Sequence, residues 1–397
     1  MSEDKYLVRA PLLDPKQQVM GYKLSWQNHG SLPPGDADLD QLLSLVAERA
    51  SDTGLGRLFL DARPARCSAE TLQTMAPPDT VLVLNRADLA DGDDVTAATT
   101  LREHGFSLAI GDADLAFLES SESLLPLLSH VELGLDHPDL TTITSLAGHA
   151  EPPLAVVLAP CRDWEAFDAC AALGLSGFFG NLCLAPRKQN QPGELGPQTV
   201  LILQLMQMVQ ENADVRHLEK LLKRDAVLSY KLFRYINSAS FGIEVEIQSL
   251  RHAVAMIGYT PLFRWLSLLL AMTNTVGFSP ALLQAAIVRG RLTELLGQGL
   301  LSRGESDDLF VVGMFSLLGQ MLGVPITQVL SQIVLPDAIV QALISREGKY
   351  GPFLLLAEAC EREDGCSADH ADNLFVTAKR VNDAHLLALA WAQNIKL

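Results

Sequence analysis

The sequence predicts an α/β domain followed by an all-α domain, and three observations predict it. Residues 1–185 alternate short apolar runs with helical segments, the pattern of a parallel sheet or barrel. From Thr199 onward the segments carry apolar residues at three- and four-residue spacing, as amphipathic helices do. Between the two lies 186–198, PRKQNQPGELGPQ, which is polar, rich in Pro and Gly and without an apolar period, so it reads as a linker.

In the first domain the candidate strands are 6–12, 20–26, 57–60, 81–84, 107–111, 130–135, 154–158 and 177–179. Helical segments such as 39–50, 95–103, 115–125 and 163–173 lie between several of them. SLPPGDAD and HAEPPLAV punctuate the joints. In the second domain, VLILQLMQMVQ, PLFRWLSLLLAMTN, DDLFVVGMFSLLGQML and PDAIVQALISR are among about ten amphipathic segments, so a helical pile follows. Pro261, Pro280 and Pro325 sit near helix starts, and Gly242 and Gly258 near ends.

With 48% hydrophobic and 19% charged residues in 397, two cores are expected. The net charge is -17, and residues 1–190 carry 13 Lys+Arg against 27 Asp+Glu. A general electrostatic field for nucleic acid is therefore excluded, and no nucleic-acid partner is expected. KRDAVLSYKLFRY interleaves Lys223, Arg224, Lys231 and Arg234 with Tyr230 and Tyr235, but at helical spacing Leu221, Leu222, Leu228, Leu232, Phe233 and Ile236 form a buried stripe and the cations a wet face. Cys67, Cys161, Cys170, Cys183, Cys360 and Cys366 form no CxxC pair, which fits reduced thiols. The most apolar stretch, 262–272, is too short for a bilayer and is broken by Arg264. A cytoplasmic protein without membrane insertion is expected. None of the nine His precedes an Asp, no phosphate-cradling Gly loop occurs, and no metal or other cofactor is expected.

KLLKRDAVLSYKLFRYINSASFG and IQSLRHAVAMIG resemble the opening of the HDOD family. The matching positions are Asp225, Leu228, Ser229, Asn237, Ser238, Phe241, Gly242, Ile247, Ser249, Leu250, Ala253, Ile257 and Gly258, and the Gly313-containing helix FVVGMFSLLGQML fits the same family. VRAPLLDPKQQVMGYKLSWQ, GFSLAIGDAD, VELGL and GLSGFFGNLCLAP, in that order, resemble strands of short EAL domains. The whole is similar to the EAL-HDOD signalling proteins, with domains at 1–185 and 199–397. The resemblance implies an α/β N-terminal domain, a degenerate and incomplete TIM-like EAL barrel, plus an all-α C-terminal HDOD domain.

EAL domains cut cyclic di-GMP with a pair of divalent metals held by carboxylates. Against that pattern Lys23 stands at the motif Glu, and Gly111 at the first Asp of a pair that leaves Asp112, with Ala113 and Asp114 after it. Glu132 stands at the Lys, Gly134 at its partnering Asp, Phe179 at a Gln, and Gln27 at an Arg that would meet a phosphate. From these departures the expectation is a non-catalytic signal-transduction protein that binds other signalling or regulatory proteins, with cyclic di-GMP an unlikely ligand. A non-hydrolysing cyclic di-GMP receptor and a hydrolase with an unusual metal site are the alternatives. Asp225, Ser229, Lys231, Arg234, Asn237 and Ser238 are the candidate interaction residues of the HDOD half. Asn237 and Ser238 also suit backbone capping.

Overall fold

A computed structural model gives the fold. It describes residues 5–27, 37–50, 56–63, 79–89, 92–120, 124–150, 152–185, 187, 195–225, 227–228, 230–232, 249–273, 279–363 and 365–395.

Eight strands close into a barrel in sequence order. They are β1 Leu7–Leu13, β2 Val19–Trp26, β3 Arg57–Ala62, β4 Thr80–Asn85, β5 Ser107–Gly111, β6 Leu128–Leu133, β7 Ala155–Leu158 and β8 Gly177–Phe179. Each overlaps one of the eight expected strands. The expectation of an incomplete barrel is corrected. β1 runs antiparallel to β2 and to β8, and Leu12↔Phe179 and Leu13↔Phe178 close the ring. Every other neighbouring pair is parallel.

The strands read as near-continuous apolar runs because both faces are buried. Leu12, Phe59, Val81, Val83, Ala109, Val157 and Phe179 fill the inside of the ring. Leu58, Leu60, Leu82, Leu84, Leu108, Ile110, Val131 and Leu133 are equally buried at the alternating positions. The helix Leu115–Ser120 is shorter than the 115–125 segment expected, and Leu140–His149 adds a helix between β6 and β7.

The linear division of the chain is also corrected. One compact unit comprises Met1–Arg187, Ser279–Ala281 and Glu358–Gln393; the other comprises Lys188–Phe278, Leu282–Ala357 and Asn394–Leu397. The C-terminal residues 358–393, expected in the helical domain, belong to the barrel unit. Their anchors are polar and invisible to an apolar period. Asn382 Oδ1 accepts from Leu7 N at 2.8 Å, and Asn382 Nδ2 donates to Lys5 O at 2.8 Å.

The helical unit holds Pro197–Gln210, which starts inside the expected linker with Pro at its first turn, then Val215–Leu222, Leu250–Ile257, Tyr259–Ala271, most of Pro280–Gly297, Arg303–Phe315 and Asp337–Ser345. Asp214, Ser249 and Ser302 cap their helices, the last in a reciprocal box with Glu305. Gly258 ends Leu250–Ile257 at φ 82°, a backbone that favours glycine. Arg264, which breaks the apolar stretch, binds Glu294 bidentately at 2.8 Å and lies 3.9 Å from the Phe310 ring centroid.

Gly313 lets two helices touch backbone to backbone. A Cβ there would lie 2.5 Å from Thr293 Oγ1, 2.6 Å from Arg289 O and 2.7 Å from Gly290 Cα. Gly313→Ala is therefore expected to lower stability by about 1–3 kcal/mol, measured by urea unfolding, because the backbone cannot yield as a flexible side chain would. An unchanged midpoint would show that the crossing is looser than this geometry.

Candidate functional site

The barrel has a mouth at the C-terminal ends of its parallel strands, where the chain leaves the sheet and side chains need not pack. A cavity of about 630 Å³ opens there. The Lys23 ammonium of β2 lines it. Nζ lies 2.8 Å from Asp61 Oδ1 of β3, and 2.9 and 3.2 Å from Glu132 Oε1 and Oε2 of β6. Burial opposes the Lys23 charge, but Asp61 and Glu132 outweigh it and raise its proton affinity. Burial pushes the Glu132 carboxyl up against the pull of Lys23, and Asp61 and Asp112 add to the rise. The Phe179 ring lies 5.9 Å from Nζ and meets Phe59 edge-on at 4.9 Å, which gives the mouth an apolar floor.

His130 lies two residues before Glu132 on β6 and is buried. Its edge meets Phe59 at 5.1 Å, and Nδ1 is 2.8 Å from Ser129 Oγ. Burial, helped by the Arg57 charge, lowers its pKa to about 4, so it is a neutral imidazole.

Residues 361–363 form one wall of the cavity. They are locked to β1 through a buried charge cluster. Arg9 Nη2 donates to Glu361 Oε1 at 2.9 Å, and Arg9 Nη1 faces His385 Nε2. The side chains of Arg9 and Glu361 are 4% and 3% exposed. Burial, then Arg9, holds His385 well below its usual proton affinity. Asn181 donates to Glu361 O. Gln27 faces this wall and is buried. Its amide donates to Ala359 O at 3.3 Å and Arg362 O at 3.0 Å, and accepts from Ser367 N at 3.1 Å.

Of the residues singled out by sequence, the structure joins Lys23 and Glu132 directly and sets Phe179 beside them. Gly111 ends β5 and pairs in register with Glu132. Asp112 follows in the left-handed region at φ 54° and donates its N–H to Glu132 O. Ala113 is buried, and Asp114 accepts from Phe117 N at 2.8 Å and pairs with Arg86. A Cβ on Gly134 would meet nothing within 4 Å. In the helical unit Asp225 Oδ1 accepts from Leu228 N at 2.9 Å, a local cap. Lys231 is half-buried, while Leu222, Leu228 and Leu232 are buried and Tyr230 is exposed, as an amphipathic segment requires. Ser229, Arg234, Asn237 and Ser238 lie outside the described residues.

Sequence reasoning passed over Asp61, Arg9, Arg162 and Arg362, all on the cavity wall. The first two left a signal. Asp61 ends the apolar run RLFL, and Arg9 interrupts LVRAPLL. A charge inside or at the end of a buried strand needs a partner.

The resemblance to EAL domains implies divalent metals, and the residues present do not fit them. An ammonium already fills the space between Asp61 and Glu132. Among the described residues no group of three or more His, Cys, Asp and Glu side chains is placed to share a metal ion. Nor, among them, is any helix long and apolar enough to cross a membrane.

The HDOD domain family matches residues 195–335. A Vibrio cholerae protein named cyclic di-GMP phosphodiesterase CdgJ is 26% identical over 98% of this chain and 93% of its own length. The Bacillus subtilis protein YuxH is 21% identical over 98% of both. Among solved structures, Klebsiella pneumoniae BlrP1 in complex with manganese and cyclic di-GMP aligns with a TM-score of 0.36 at 15% identity, over 45% of this chain and 55% of its own. These findings correct three expectations. A relative of nearly full length named as a phosphodiesterase overturns the reading of a non-catalytic protein, that of a non-enzyme, and that of cyclic di-GMP as an unlikely ligand. The HDOD match at 195–335 and the eight-stranded barrel that precedes it agree with the resemblance to EAL-HDOD proteins carried by the strand and helix motifs.

Proposed function

We propose that the protein is a cytoplasmic enzyme of cyclic di-GMP signalling that hydrolyses a phosphodiester at the barrel mouth. One observation carries this reading. A fixed ammonium, Lys23, and a carboxylate of raised proton affinity, Glu132, face one cavity at the C-terminal strand ends. The cavity's size suits a small-molecule ligand. Lys23 would neutralise charge on a non-bridging phosphate oxygen, and Glu132 would take the proton of the attacking water. The water oxygen bonds to phosphorus, the bond to the 3′-oxygen breaks, and solvent protonates that oxygen. The name of the Vibrio cholerae relative supports the substrate class. The thiols of Cys161, Cys170, Cys360 and Cys366, which form no disulfide, support a reducing compartment.

The full chain incubated with cyclic di-GMP, and analysed by chromatography with magnesium, with manganese and with EDTA, should yield the linear dinucleotide. Glu132→Gln should slow that turnover by about a hundredfold or more. If no linear product forms under any of the three conditions, the proposal fails.

A further inference from the structure

We infer that the Lys23 ammonium is the resident cation of the barrel mouth, so that the site takes its phosphodiester without a divalent metal. The inference rests on the barrel-mouth reading above for its ligand, and on geometry alone for its cation. An ammonium has three protons and no acceptor. Asp61 Oδ1 takes one at 2.8 Å, and the two Glu132 oxygens share a second at 2.9 and 3.2 Å. One proton is left for a phosphate oxygen. The three side chains come from β2, β3 and β6, so the cation is tethered to the sheet and does not dissociate. Lys23 and Glu132 side chains are 18% and 15% exposed, which limits solvent screening of the charge.

A divalent ion brought to the same two carboxylates would stand within a few ångströms of the ammonium and be repelled. The rest of the wall agrees. Arg9, Lys23, Arg162 and Arg362 are matched by Asp61, Glu132, Glu361 and Glu363. The mouth is therefore charge-balanced in a chain of net charge -17, and it does not present the surplus of acids that a pair of hard cations requires. Arg162 and Arg362 also line the cavity and supply cations for the second phosphate of a cyclic dinucleotide.

Manganese titration by calorimetry and electron paramagnetic resonance tests the cation, using the full chain and the variants Lys23→Glu and Lys23→Ser, each checked for a parental thermal melt. The parent should show no stoichiometric manganese site. Removal of the ammonium should create one, in Lys23→Glu by adding a third carboxylate and in Lys23→Ser by freeing two. A stoichiometric manganese site in the parent overturns the inference, and so does failure of both folded variants to gain one. Cyclic di-GMP binding and turnover in EDTA test the ligand. Both should match the values with manganese, and affinity should fall by about tenfold or more in Lys23→Ser. Activity lost in EDTA and restored by manganese overturns the metal-free site. If cyclic di-GMP is neither bound nor turned over, the proposed function fails, while the manganese titrations still decide the cation.

Discussion

Arg9→Ala is expected to destabilise the barrel unit by roughly 3–5 kcal/mol, the cost of leaving one member of a buried ion pair without its partner. Arg9 is enclosed on β1, with Glu361 2.9 Å away and equally enclosed. Removing the guanidinium takes the cation away from a carboxylate with almost no access to water and removes the group facing His385 Nε2. The truncation also opens the contact between β1 and residues 361–363, which form part of the cavity wall. The double variant Arg9→Met with Glu361→Leu should recover most of the loss, because apolar side chains of similar volume need no counter-charge. Urea unfolding of the parent, the single and the double variant gives the comparison. An Arg9→Ala protein as stable as the parent would mean that water reaches Glu361 and that the lock is not closed.

The second large effect is a loss of stability in mild acid that traces to His130. Its pKa is about 4 in the folded barrel, against 6.5 for an ordinary histidine. As pH falls below about 6.5 the unfolded chain takes up this proton and the folded one does not, so stability declines until about pH 4. The difference corresponds to about 3 kcal/mol. His385 is displaced in the same direction and contributes to the same acid limb. His130→Phe isolates the His130 share, since the ring edge already meets Phe59 in an apolar setting. The stability difference between parent and variant should shift by about 3 kcal/mol in the variant's favour from pH 7 to pH 4. In the NMR spectrum the His130 imidazole should remain neutral at pH 5.5, well above its pKa. A His130 that titrates near 6.5 would mean that the interior of the barrel is wet.

Features that depend on local order are legible in the residues alone. Apolar runs separated by helical segments specify strand order. A run buried on both faces, such as β4, reads as continuous apolar residues, and that made such strands legible. Helix-boundary residues such as Pro280 and Gly258 are equally local, and so are the HDOD motif residues. Lys23, Glu132 and Phe179 were found because each stands in a strand that resembles an EAL strand.

Closure and charge pairing, in contrast, depend on residues that no local pattern connects. Whether the ring shuts turns on two antiparallel pairs between Leu12–Leu13 and Phe178–Phe179, far apart in sequence. Periodicity assigned residues 358–393 to the helical domain, since a helix has the same apolar spacing whichever partner it covers. Arg9, Glu361, Asn382 and His385 place that segment against β1, and no spacing announces a partner more than 350 positions away. The mouth follows the same rule. Asp61 lies just past the strand expected at 57–60, and closure brings it within 2.8 Å of Lys23. A single ammonium shared by two carboxylates is then a different object from a lysine standing where an acid was expected. A charge takes its chemistry from its neighbours, and in a closed barrel the neighbours come from the whole ring.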